Sequence, residues 1–137
     1  MDFMERLNEE INKIPLLPLQ CRLGYLGADE SLVMYPLAGS RTVAEYMDGE
    51  KEKLMNYEIA MKSKSVQKTN DTLWFVQKGI SDIEDIKSSN GSFKFDEIVI
   101  TNMPFINQAD EQGNYVFLLD VQAHLTVFEK EEEIIND

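Results

Sequence analysis

The longest alternating run in the chain, Tyr115 to Phe128, limits the fold more than any other stretch. Read at period two, Tyr115, Phe117, Leu119, Val121, Ala123, Leu125 and Val127 fall on one face, which is apolar throughout. Val116, Leu118, Asp120, Gln122, His124, Thr126 and Phe128 fall on the other, which is mixed. Wound as a helix, the same residues would scatter apolar groups around the whole axis, and their β-branched and aromatic content suits a pleated surface. The run is therefore the spine of a sheet. One side lies on a core, and the other is partly wet or held against another protein.

The rest of the chain supplies the partners of that strand. Phe3, Met4, Leu7, Ile11 and Ile14 recur at helical spacing, which predicts an amphipathic helix over 2–13. Asp2 stands at its N-cap with Glu5 in the capping-box position, and Pro15 ends it. Residues 15–30 break all periodicity with Pro15, Pro18, Gly24 and Gly27, yet carry Leu16, Leu17, Leu19, Leu23, Tyr25 and Leu26. Such a segment either packs along the core edge or is buried against another subunit. Strands follow over 31–37, 42–47 and 53–64, the last two joined by a turn at Asp48-Gly-Glu-Lys51. In the third of these, Met55, Tyr57, Ile59 and Met61 share one face, opposite Asn56, Glu58, Ala60 and Lys62.

Helical spacing returns over 66–86 in Leu73, Val76, Ile80, Ile83 and Ile86, with Ser65 as N-cap and Trp74 expected to anchor the helix on the sheet. Gly79 weakens that helix by about 1 kcal/mol relative to Ala. Ser81-Asp-Ile-Glu84 forms a capping-box pattern where the helix kinks or restarts. A fourth strand spans 93–102, where the parity change between Phe95 and Ile98 predicts a bulge near Asp96 and Glu97. Pro104 ends its pairing or leaves it on an edge. Residues 107–114 read as a polar loop, and the acidic segment 129–137 as a frayed end. The order α-β-β-β-α-β-β gives a single α+β domain over 1–137: an antiparallel, mostly hairpin-connected sheet with two helices on one face.

Composition narrows the function. The 137 residues carry a net charge of −12, which opposes binding to phosphate backbones. No apolar run is long enough to cross a membrane, and the acidic start is not expected to be a secretory signal. Cys21, the single cysteine, reads as a small buried apolar residue. No zinc set, calcium loop or nucleophile elbow is present in the sequence. Asp120 and His124 share a strand face but stand about 13 Å apart, too far for a direct acid–base pair. Catalytic residues, metal ligands and cofactors are accordingly expected to be absent.

Arg22-Leu-Gly-Tyr-Leu-Gly-Ala-Asp-Glu-Ser-Leu-Val-Met-Tyr-Pro-Leu37 and the stretch from Arg41 to Ile59 open a resemblance to a known family. Lys68-Thr-Asn-Asp-Thr-Leu-Trp74, Asn102-Met-Pro-Phe-Ile-Asn107 and Asp110-Glu-Gln-Gly-Asn-Tyr-Val-Phe-Leu-Leu-Asp-Val-Gln122 complete it. Together they resemble the small minor capsid or tail terminator proteins of long-tailed phages and prophages of Gram-positive bacteria. The resemblance implies a structural role without catalysis. Copies would form a ring, typically hexameric, on the head-proximal end of the tail tube, stop its polymerisation and meet the head connector. It also implies a place at the head–tail junction of the virion, after assembly in the host cytoplasm. DNA would pass through the ring without specific binding.

On this reading Leu19, Leu23, Tyr25 and Leu26, with Gln122, His124 and Thr126 of the mixed strand face, are candidate subunit-interface residues. Two other functions compete. A ligand-binding or enzymatic domain would need a cone-shaped pocket with Asp120 or His124 pointing inward. An acidic DNA mimic would block a host nucleic-acid-binding protein.

Overall fold

Alternating apolar faces meet amphipathic helices across a single sheet. The computed structural model describes residues 1–128, so the expected fraying of 129–137 lies outside the described residues. Among residues 1–128 the elements run α1 (Phe3–Asn12), β1 (Cys21–Leu23), β2 (Ser31–Pro36), β3 (Arg41–Glu45), β4 (Glu50–Ser63), α2 (Val66–Ser81), β5 (Phe93–Ala109) and β6 (Tyr115–Phe128). The fold is α+β, with an open six-stranded sheet ordered β1-β2-β4-β6-β5 and β3 pairing the first half of β4. All pairs are antiparallel except β1 with β2. As expected, β6 is the spine: it pairs with β4 along its whole length and with β5 on its other side.

The core lies between the sheet and both helices. Tyr57, Ile59 and Met61 of β4 and Leu119, Val121, Ala123, Leu125 and Val127 of β6 meet Phe3, Leu7 and Ile11 of α1 and Leu73, Val76 and Ile80 of α2. Burying each large apolar side chain here contributes about 1.5–3 kcal/mol. Phe3 is fully buried with its ring 5.3 Å from Phe93, edge-on, and 5.8 Å from Tyr57. One aromatic residue of α1 thereby ties two strands together. Ser65 caps α2 by accepting from the Lys68 amide, and the bulge expected at 96 appears as a register shift between Phe95 and Glu97.

Five expectations need correcting. The segment 15–30 contains a strand, β1, too short to show alternation. It is docked by Asn12, whose Oδ1 accepts from the Cys21 amide at 2.7 Å and whose Nδ2 donates to the Cys21 carbonyl at 2.9 Å. Asp2 occupies the N-cap position of α1, but its side chain makes no capping hydrogen bond. Its carboxylate instead accepts from the Ser88 hydroxyl (2.7 Å), the Ser89 amide (2.9 Å) and hydroxyl (2.7 Å), and the Ser92 hydroxyl (3.2 Å). Burial alone would raise the Asp2 pKa, but these donors outweigh it and hold the carboxyl well below the usual carboxylate range.

Trp74 is 43% exposed and does not anchor α2; the buried threonines Thr69 and Thr72 complete the face that Leu73, Val76 and Ile80 begin. The helix stops at Ser81 without restarting, and Ile83 and Ile86 reach the core from an irregular segment. Finally, β5 runs through Pro104 to Ala109, absorbing part of the expected loop. Pro104 falls at a register shift between Asn102 and Phe105, on the strand at the edge of the sheet's described residues, so its missing N–H breaks no ladder there.

Candidate interaction face

Both helices cover one side of the sheet, and the other side is built from rows of side chains that the register places across the strands. Val33, Ala60, Leu118 and Phe105 form one row. Tyr35, Glu58, Asp120 and Asn102 form the next, and then come Asn56, Gln122 and Val99. Leu54, His124 and Glu97 follow, with Glu52, Thr126 and Lys94 beyond. The face is graded. At one end Val33, Ala60, Val116 and Leu118 are buried together, with Leu26 and Tyr35 packed on them. Towards the other end every row carries polar groups.

The central row is a continuous chain of polar contacts. The Tyr35 hydroxyl donates to Glu58 Oε1 at 2.5 Å, and Asn102 Nδ2 donates to Asp120 Oδ2 at 2.7 Å. Between them Glu58 and Asp120 are direct cross-strand partners, each less than a tenth exposed. Like charges opposite one another in a sheet are destabilising. Burial first, and then the neighbouring Asp120 carboxyl, push the Glu58 pKa up to about 7, against the opposing hydrogen bond from Tyr35. Tyr35 is raised as well, by burial first and then by Glu58. Glu58 stands on the polar face of its alternating run, so its parity was legible; its pairing with Asp120 was not, because register is a tertiary quantity.

The interface residues expected from sequence separate into groups. Gln122 donates to Asn56 Oδ1 at 3.0 Å, and Thr126 donates to Asp96 at 3.0 Å. His124 Nδ1 lies 3.6 Å from Glu97 Oε2. All three are half-buried on the uncovered face. Tyr25 is 75% exposed and stacks on Tyr35 with ring centroids 4.9 Å apart, which joins the 24–30 segment to the same face. Leu26 packs beside it and Leu23 is exposed, but Leu19 packs against the main core on the helix side. The structure does not bring Leu19 to the others. Sequence reasoning missed Met103, Phe105 and Ile106, all exposed along β5, because the strand expected there stops at Asn102.

Asp120 and His124 keep separate partners, consistent with their expected separation. Neither lines the 650 Å³ cavity beside Glu30, Lys64 and Asn114, the 450 Å³ cleft between Lys13 and Asp85, or the 390 Å³ hollow at 12–20. Cys21 is fully buried, and that burial pushes its thiol up to about 12, the condition of an inert core residue.

Comparison with known proteins bears on what such a face is for. A family model described as bacteriophage tail terminator protein matches residues 8–127, from within α1 to the penultimate residue of β6. No curated protein matches the chain.

Proposed function

Because the chain belongs to the bacteriophage tail terminator family, a family of structural tail proteins of the virion, we propose that it acts as a ring of copies, six in number. The ring caps the tail tube and joins it to the head connector, with DNA passing through the ring. The observation that carries this reading is the uncovered side of the sheet, where half-buried Gln122 and Thr126 are hydrogen-bonded and half-buried His124 lies beside Glu97, near exposed apolar groups. Two further features support it. The open sheet ends in unlike edges, β5 on one side and β1 with β3 on the other, and unlike surfaces joined head to tail can close a ring. The charge of −12 suits a channel along which DNA slides without sticking.

Deleting the gene is expected to give overlong tails and unattached heads, visible in negative-stain micrographs. Replacing Gln122 and Thr126 together by Lys is expected to give the same particles while the isolated protein keeps its circular dichroism spectrum and melting temperature. Normal particles from the double variant would show that this side of the sheet is merely solvated.

A further inference from the structure

The centre of the uncovered face holds an arrangement that its role as a contact surface does not require. Glu58 and Asp120 are paired directly across β4 and β6, at 9% and 8% exposure. Asp120 Oδ2 accepts from Asn102, but Asp120 Oδ1 is buried and receives no donor. Glu58 Oε1 already accepts from Tyr35. A proton on the Glu58 carboxyl supplies the donor that Oδ1 lacks and removes the repulsion between two buried carboxylates. We propose that Glu58 and Asp120 share a single proton across β4 and β6, forming a charge switch at the middle of the outer face.

The groups that face the pair fit this device. From β2 comes Tyr35, with Tyr25 stacked on it from the 24–30 segment; from β5 comes Asn102, through Asp120. Along β4 the flanking residues on that side are Asn56 and Ala60, and four positions away Lys62 donates to the Gly27 carbonyl at 3.0 Å. Along β6 they are Leu118 and Gln122, with His124 beyond them beside Glu97. The groups that act directly on Glu58 are Asp120 and Tyr35, and neither can carry the positive charge that would offset a second carboxylate. Losing the proton to solvent therefore leaves two like charges in one row. The sign follows from linkage. Between 4.5, the ordinary value for Glu, and about 7 the folded chain holds a proton that the unfolded chain has released, so stability falls as pH rises through this window and levels off above it.

Carboxyl carbon NMR of the isolated protein, followed from pH 4 to 9, tests the device directly. Glu58 is expected to titrate near neutrality in the wild type; titration of Glu58 below pH 5 would overturn the proposal. Glu58→Gln keeps an acceptor for Tyr35 and supplies a permanent donor to Asp120. Between pH 5 and pH 8 the folding constant of the wild type should fall on the order of a hundred-fold relative to this variant, measured by urea unfolding; parallel pH profiles would also refute the shared proton. The consequence for assembly rests on the proposed interface. Tail capping by the wild type should weaken above neutral pH and that of Glu58→Gln should not. If Glu58 titrates as expected while capping ignores pH in both proteins, the switch stands and the interface assignment fails.

Discussion

Replacing Asp2 by Asn separates two roles that one residue can play at the start of a helix. Asn and Ser are as good as Asp at an N-cap, so a capping Asp2 would tolerate either substitution at a cost of a few tenths of a kcal/mol. In the structure Asp2 clasps the 88–92 segment instead, through four hydrogen bonds from Ser88, Ser89 and Ser92 to a carboxylate whose side chain is 14% exposed. Arg6 Nε adds a charge 3.7 Å away. Hydrogen bonds to a charged group contribute about 1.5–3 kcal/mol each but share one acceptor and do not add. The expected loss for Asp2→Asn is therefore about 2–4 kcal/mol, since the amide offers one acceptor atom where two were used and turns N–H groups towards serine hydroxyls.

Urea unfolding at pH 7 measures this loss. Folded-state depression of the Asp2 pKa also makes a pH prediction. Its contribution is complete above the ordinary value of 3.8 and is lost as pH falls towards the depressed one, so the wild type should lose an acid-sensitive increment that Asp2→Asn never has. A loss below about 0.5 kcal/mol with an unchanged acid limb would refute the clasp and restore the cap.

Other substitutions follow from the same packing. Gly79→Ala sets a helix-propensity gain of about 1 kcal/mol against a new Cβ 2.4 Å from Ile14 Cδ1 and 2.5 Å from Ile14 Cγ1. Overpacking of about 1–3 kcal/mol should win, and adding Ile14→Ala should recover part of the loss, which a double-mutant cycle in urea detects. Leu73→Ala should cost about 2–5 kcal/mol because Leu73 is fully buried. Neighbouring Trp74→Ala should cost about 1 kcal/mol or less; thermal melts of the two variants reverse the order expected if Trp74 were the anchor.

Sequence periodicity alone determined β4 and β6, the first helix, the second helix as far as Ser81, and which side of each faced the core. Side-chain alternation is a local consequence of backbone geometry, so Tyr115 to Phe128 and Met55 to Met61 declared their inner faces without reference to any partner. It also placed Glu58 and Asp120 on the polar side of their strands, and Gln122, His124 and Thr126 with them. What tertiary structure decided was adjacency. Register, set by turns and bulges far from either residue, put Glu58 opposite Asp120 and His124 opposite Glu97. Packing also overruled local signals: Asp2 found donors 86 to 90 residues away in place of its own helix, and β1 pairs with β2 while Asn12 offers the Cys21 backbone both a donor and an acceptor. Local propensities are worth tenths of a kcal/mol to about one, whereas a buried polar group left unpaired costs about 1–3 kcal/mol. Where the two competed, the demand for partners prevailed.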